Sequence, residues 1–188
     1  MKITDVKMEK FSIELTEPFK VAFAQVSHTV SIIVKVETDE GYVGYGEAAP
    51  FGPVTGETTE GCLEVLQMFR QGLIGMDPLE MEKVHAMMDG LVHGNGSAKC
   101  AIDIALYDLK GKVMDQPLYR VLGGYQNKVQ NDITIGISAP EKMAEAARHY
   151  VKDMGYHILK IKAGICPQED LKTLELIRKT VGEDVRLR

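Results

Sequence analysis

The chain contains no tryptophan and only three cysteines, Cys62, Cys100 and Cys166, which lie far apart. No two of them form a Cys-x-x-Cys pair, so the sequence offers neither a disulfide framework nor a structural zinc site. The five histidines show no His-Glu-x-x-His or similar metal-ligand spacing. Scattered thiols without a pairing pattern are typical of proteins in the reducing cytosol, so we expect a cytoplasmic protein.

Long runs of one residue class are also missing. No stretch approaches the roughly 18 consecutive apolar residues of a membrane-spanning helix, and the charged residues 1–10 lack the apolar core of a signal peptide. Basic residues are scattered and the formal net charge is −5, which gives no support to a nucleic-acid surface. We therefore expect a protein that binds neither membranes nor nucleic acids. Its 188 residues suit one globular domain, or one small domain plus part of another.

The first part of the chain has the pattern of an α+β domain. Hydrophobic alternation predicts an antiparallel meander with strands at Ile3–Leu15, Val30–Glu37 and Tyr42–Glu47. A loop rich in glycine and proline follows at residues 50–57. Apolar residues then recur at helical spacing in three segments, residues 58–71, 79–91 and 97–112. We predict that this domain covers residues 1–125.

From residue 126 onward the pattern changes to alternating strands and helices. Asn131–Ile137 alternates like a strand, and Ser138 as N-cap with Glu141 three residues later predicts a helix start. A second helix is predicted from about Gln168, with an apolar stripe formed by Leu171, Leu174, Ile177 and Val181. The order β-α-β-α-β implies a parallel sheet. Residues 126–188 are therefore predicted to form a second domain.

Lys160-Ile161-Lys162 lies in the middle strand of that pattern. Alternate strand residues share a face, so Leu159 and Ile161 form an apolar face while both lysines share the other, with Cα atoms roughly 7 Å apart. Two ammonium groups this close repel each other, which favours the neutral amine that a general base needs. On an antiparallel sheet the same pattern would be a solvated face. A parallel sheet is normally covered on both faces, which favours the functional interpretation.

Four segments resemble the muconate-lactonizing branch of the enolase superfamily. The first two are Gly44-Tyr-Gly-Glu-Ala-Ala-Pro50 and Val54-Thr-Gly-Glu57. The third is a long segment formed by residues 101–112 together with residues 116–124, and the fourth is Leu159-Lys-Ile-Lys162. The resemblance covers essentially the whole chain. Within the branch, Pro18-Phe-Lys20, Val54–Glu57 and Lys-Ile-Lys are most similar to the dipeptide epimerases, whose best-known members act on L-Ala-D/L-Glu.

The resemblance implies a fold and a reaction. The fold is an α+β capping domain followed by a TIM-type (β/α) barrel, of which this chain holds only the first β/α units. The reaction is removal of a proton from the carbon next to a carboxylate of a dipeptide, and its return to the opposite face. Mg²⁺ and three carboxylate ligands would stabilise the enediolate that forms. We also expect a homo-oligomer at full length.

The resemblance also assigns candidate site residues. Lys162 would be the acid/base on one face of the α-carbon, and Lys160 would lie beside it and add positive charge. Thr134, on the first barrel strand, would point inward and contact the dipeptide. Phe19 and Val54, from two capping loops, would wall the pocket. Active sites in such barrels lie at the C-terminal ends of the strands.

One departure from the family concerns the substrate. The Ala-Glu epimerases carry an arginine shortly after Pro-Phe-Lys that binds the glutamate side chain, and here Ala24 stands in its place. The candidate pocket residues Phe19, Phe23 and Val54 are apolar. We therefore expect an apolar or small second residue instead of glutamate.

A second departure concerns length. A complete barrel needs roughly 250 residues, and only about 60 follow the capping domain here. The family's first Mg²⁺ ligand would fall beyond Arg188, so we expect no metal ligand within this chain. We interpret the sequence as an inactive fragment of a longer enzyme.

Two alternatives remain open on the sequence. The chain could be part of another Lys-x-Lys enzyme of the superfamily: a muconate-type cycloisomerase, an o-succinylbenzoate synthase or an N-acylamino acid racemase. It could also be a non-catalytic protein that keeps the capping domain for binding or assembly.

Overall fold

The computed structural model describes all residues 1–188. An antiparallel sheet has the order β1-β2-β3, formed by β1 (Ile3–Val21), β2 (Ala24–Thr38) and β3 (Val43–Ala48). Five helices follow: α1 (Gly52–Thr55), α2 (Thr59–Leu73), α3 (Met81–Leu91), α4 (Gly96–Val113) and α5 (Leu118–Val121). The remaining elements are β4 (Ile133–Ile135), α6 (Pro140–Lys152), β5 (Ile158–Ile161), α7 (Pro167–Val181) and β6 (Arg186–Leu187). None of the helices is both long and apolar enough to cross a bilayer.

The chain divides into two compact units. The first consists of Met1–Ile13 and Thr29–Asn127, and the second of Glu14–His28 and Lys128–Arg188. The tip of the β1–β2 hairpin therefore packs with the later part of the chain, although the base of the hairpin lies in the first unit. This grouping places all but one of the candidate site residues in the second unit.

The core of the first unit combines one face of β2 with the apolar faces of helices α2, α3 and α4. Its largest fully buried side chains include Ile32, Leu66, Phe69, Leu73, Met88, Ile102, Leu106 and Leu109. The α+β pattern predicted for this part of the chain, an antiparallel meander followed by helices, is confirmed.

Strand β3 lies very close to helix α4. A Cβ atom at Gly44 would overlap the backbone oxygen of Ala105, and one at Gly46 would overlap the backbone oxygen of Ala101. The absence of a side chain at both glycines thus permits a close approach of backbone to backbone. This contact joins the sheet of the first unit to its longest helix.

The second unit contains a parallel three-stranded sheet. β4 pairs with β5 from Ile133↔Leu159 to Ile135↔Ile161, and β5 pairs with β6 at Leu159↔Leu187. Helices α6 and α7 cover one face of this sheet, and the buried residues between them are Ile135, Met143, Ala144, Ala147, Leu159, Ile177, Val181 and Val185. The predicted β-α-β-α-β order and parallel sheet are confirmed.

Several local predictions are wrong. β1 continues to Val21, so Phe19 lies in a strand and not in a capping loop. β4 covers only Ile133–Ile135, which is shorter than predicted. The N-cap of α6 is Ala139, not Ser138, and no side chain caps this helix. Pro140 explains the shift, because its fixed φ suits the first helical position, where no N–H group is needed.

The apolar stripe of α7 also differs from the prediction. Ile177 and Val181 are buried as expected, but Leu171 and Leu174 are 64% and 37% exposed. Thr173 is buried in their place, and its hydroxyl donates a 2.7 Å hydrogen bond to the backbone oxygen of Glu169. A threonine can occupy this face because the helix itself satisfies its hydroxyl.

Candidate functional site

Thr134 and Lys160 lie side by side on neighbouring strands. They are direct partners in the parallel register of β4 and β5. Ile135 and Leu159, their sequence neighbours, are buried against the helices. Because alternate residues of a strand point to opposite faces, Thr134 and Lys160 share the face that the helices do not cover.

Lys162 lies just past the C-terminal end of β5. Its backbone N–H donates a 3.1 Å hydrogen bond to the backbone oxygen of Ile135, and the N–H of Ile161 donates a 2.8 Å bond to that of Arg188. These bonds continue the ladder and fix the backbone of Lys162 at the strand ends. The side chains of Lys160 and Lys162 are both half-buried. This is the edge of a parallel β/α sheet where substrates commonly bind.

The hairpin tip lies against the same strand ends. The N–H of Ile137 donates a 3.0 Å hydrogen bond to the backbone oxygen of Lys20. Gly136 lies next to the Phe19 ring, and a Cβ atom at Gly164 would lie 3.8 Å from the Cβ of Ala22. The tip therefore contacts the segments that follow both β4 and β5.

A pocket of about 370 Å³ opens between these segments. Lys20 and Lys162 contribute two cationic side chains to its wall, and the first turn of α7 contributes two acidic ones. Ile137, Ile161 and Ile165 contribute apolar surface. Two amines from separate elements beside an apolar wall could hold a carboxylate and exchange a proton with a neighbouring carbon. The lining combines a few polar groups with apolar side chains, as small-molecule sites do.

The other predicted site residues are distributed differently. Phe19 and Thr134 line a neighbouring pocket of about 610 Å³, and Lys160 lines neither of these two pockets. Ala24 begins β2 and is half-buried. Val54 lies in α1 of the first unit with a 65% exposed side chain.

Glu57 anchors the segment at residues 50–57, which contains α1 and Val54. Its carboxylate accepts hydrogen bonds from the backbone N–H of Ser97, at 3.0 Å, and from the Ser97 hydroxyl. Burial raises the pKa of the Glu57 carboxyl, but the hydrogen bonds from Ser97 and Thr55 outweigh it and hold the pKa below its usual value. Ser97 is in the first turn of α4, where an anion is stabilised by the helix dipole.

The sequence analysis assigned no individual role to Lys20 or Glu57, although both make defined contacts in the structure. Both stand inside motifs of the family resemblance, Pro18-Phe-Lys20 and Val54-Thr-Gly-Glu57. Lys20 lines the pocket beside Lys162, and Glu57 ties its loop to α4. The signal that could have identified them is a charged residue within an otherwise apolar or small motif.

Residues 1–188 contain no group of three or more histidine, cysteine, aspartate or glutamate side chains that could hold a metal ion. Metal sites for Mg²⁺ are built from oxygen ligands, chiefly carboxylates. The residues present therefore do not form such a site.

This chain is similar to known proteins in sequence and in fold. The chain is 45% identical over 188 residues to a hydrophobic dipeptide epimerase from Enterococcus faecalis, and 42% identical over 189 residues to an L-Ala-D/L-Glu epimerase from Clostridium acetobutylicum. It is 40% identical over 190 residues to an N-succinyl-L-Arg/Lys racemase from Bacillus cereus. All of this chain is covered in each case, but only 53%, 52% and 51% of these relatives.

A solved structure is similar to this chain over the same part of its length. The dipeptide epimerase from Enterococcus faecalis V583, complexed with Mg and the dipeptide L-Leu-L-Tyr, has a TM-score of 0.98 and 44% identity to this chain. The match covers 100% of this chain and 53% of that structure. The chain thus spans about half the length of the relatives it matches.

The family model for the N-terminal domain of mandelate racemase and muconate lactonizing enzyme matches residues 3–123. This range holds the antiparallel sheet and helices α1 to α5. The chain therefore belongs to the mandelate racemase/muconate lactonizing enzyme family.

Proposed function

We propose that the chain is the N-terminal part of a dipeptide epimerase whose substrates have an apolar or small second residue. The observation that carries this proposal is the position of Lys162, held by backbone hydrogen bonds at the strand ends and beside the hairpin tip. The dipeptide epimerases among its relatives support the reaction class.

Lys162 would act as the acid/base. Its neutral amine would take the proton from the α-carbon next to the substrate carboxylate, and a group outside residues 1–188 would return a proton to the opposite face. Lys160 would add positive charge near the reacting carbon, and Thr134 would contact the dipeptide. A positioned acid/base of this kind contributes about 10²- to 10⁴-fold in rate.

The preference for an apolar second residue rests on the hairpin tip. Ala24 offers no charge to a glutamate side chain, and Phe19 contributes an aromatic surface at the end of β4. A carboxylate buried against these apolar side chains would lose hydration, so they disfavour glutamate.

Further properties of the whole protein follow from the same proposal. We propose Mg²⁺ as the cofactor, because similar epimerases were solved in complex with Mg and dipeptides, and place its ligands outside residues 1–188. We also propose a cytoplasmic homo-oligomer, with a capping domain at residues 1–125 and a barrel that begins at residue 126.

A dipeptide panel tests the proposal. The protein expressed from its native gene is incubated with Mg²⁺ and L,L-dipeptides that differ only in the second residue, including Ala-Leu, Ala-Phe, Ala-Ala and Ala-Glu, and epimers are quantified by chiral chromatography. We expect the apolar dipeptides to have the highest kcat/KM. Ala-Glu as the best substrate would overturn the proposed preference for an apolar or small second residue. In a separate measurement, an intact mass of about 40 kDa for the protein expressed from its native gene would match a capping domain plus a barrel.

Racemisation of an N-acylamino acid is a second candidate, because the chain is 40% identical to an N-succinyl-L-Arg/Lys racemase. Adding N-succinyl-arginine to the panel separates the two reactions. Turnover of this compound without turnover of any dipeptide would favour the racemase. A protein that turns over none of the compounds would favour a non-catalytic role.

A further inference from the structure

Gly136 lies immediately after β4, beneath the hairpin tip. A Cβ atom at this position would lie 3.3 Å from Cδ2 and 3.4 Å from Cε2 of Phe19, and 3.4 Å from the backbone oxygen of Lys20. Gly136 is not among the glycines with positive φ. Glycine is therefore favoured here by its small size and not by its backbone freedom, because a Cβ atom would require its neighbours to move by a few tenths of an ångström.

A hydrogen bond fixes the other side of this contact. The N–H of Ile137 donates to the backbone oxygen of Lys20 at 3.0 Å. The backbone next to Phe19 is thus tied to the residue that follows Gly136. A methyl group added at position 136 would have to displace the Phe19 ring, because the neighbouring backbone is held in place.

We propose that Gly136 is a positioning residue that sets the place of the Phe19 ring and thereby the shape of the subsite for the second residue of the substrate. The inference rests on the proposed function and extends it to a residue that would act through the Phe19 ring, since glycine has no side chain of its own. A large second residue fills the subsite, so a displaced Phe19 ring would change its fit. A small second residue leaves room for the displaced ring, so its fit would change less.

The test compares Gly136→Ala with wild type in the protein expressed from its native gene. The readout is the ratio of kcat/KM for Ala-Phe to that for Ala-Ala, with the melting temperature measured in parallel. We expect the ratio to change by about 3- to 10-fold, since overpacking of a filled site has effects of this size or larger. Gly90→Ala in α3 is the matched control, because a Cβ atom there meets nothing within 4 Å.

Phe19→Ala makes the test specific. In that background the added methyl group has no ring to displace, so Gly136→Ala should no longer change the ratio. An unchanged ratio in Gly136→Ala, or an equal change with and without Phe19, overturns the inference while the proposed function stands. If Gly136→Ala does not fold, an unchanged ratio in Phe19→Ala alone overturns it. Wild-type protein that turns over no dipeptide overturns both proposals.

Discussion

Thr134 lies directly across from Lys160 in the parallel register of β4 and β5. Both residues point away from the face that α6 and α7 cover, because Ile135 and Leu159 point toward those helices. In a closed barrel, this face would be the interior. In the proposed epimerase, a threonine hydroxyl and a lysine amine beside each other on this face would provide polar groups for the substrate.

Replacing Lys162 by methionine should remove the proposed acid/base and keep most of the apolar stem of the side chain. We expect kcat of the protein expressed from its native gene to fall by about 10²- to 10⁴-fold. Lys172→Met, on the exposed side of α7, is the matched control and should retain activity. Activity of Lys162→Met within a factor of about 2 of wild type would contradict the assigned role.

Glu57→Gln should weaken the anchor of the loop at residues 50–57. A hydrogen bond to a charged group contributes about 1.5–3 kcal/mol, and partial exposure lowers this, so we expect a loss of about 1 kcal/mol. Glu64→Gln, at an exposed position of α2, is the control. Thermal or urea unfolding of both variants measures the difference.

The same anchor should depend on pH. The pKa of Glu57 in the folded protein lies below its ordinary value of 4.5, so its stabilising contribution is complete above that value and is lost as the pH falls through the folded pKa. The stability difference between wild type and Glu57→Gln should therefore shrink as the pH is lowered below 4.5. A difference that grows in acid would show that the carboxylate is not the stabilising form.

Cys62 should react slowly with thiol reagents. Burial, with a smaller effect from the negative charge of Glu57, raises the pKa of its thiol to about 11. Only about one thiol in a thousand is then ionised at pH 8, and the thiolate is the reactive form. Cys100 is exposed and serves as the internal comparison. Peptide mapping after brief alkylation should show modified Cys100 and unmodified Cys62, and equal labelling would contradict the buried environment.

Gly46→Ala should destabilise the first unit. The added methyl group would overlap the backbone oxygen of Ala101 in α4, and backbone atoms cannot move aside as side chains do. We expect a loss of about 3 kcal/mol or more in the free energy of unfolding. Gly90→Ala, which adds a methyl group in open space, should be neutral or slightly stabilising. Similar stabilities of the two variants would contradict the close β3–α4 packing.

Patterns that depend on neighbouring residues could be predicted from the sequence. The parallel β/α order and the shared face of Thr134 and Lys160 follow from hydrophobic periodicity. The association of the hairpin tip with the end of β4 does not follow from hydrophobic periodicity, because Lys20 and Ile137 are far apart in sequence. Only the family resemblance, which assigns Phe19 to the pocket, implied it. The exposure of Leu171 and Leu174 could not be predicted either, since their spacing fits a helical stripe and only tertiary packing selects the buried side.

The most direct test of the proposed proton transfer is deuterium incorporation. The protein expressed from its native gene is incubated with Mg²⁺ and Ala-Phe in D₂O, and the α-carbon of the second residue is followed by NMR and chiral chromatography. We expect deuterium at that carbon together with formation of the other epimer. A folded preparation that forms the other epimer of Ala-Phe without deuterium at that carbon, or that incorporates deuterium only at the first residue, would contradict the proposed proton transfer.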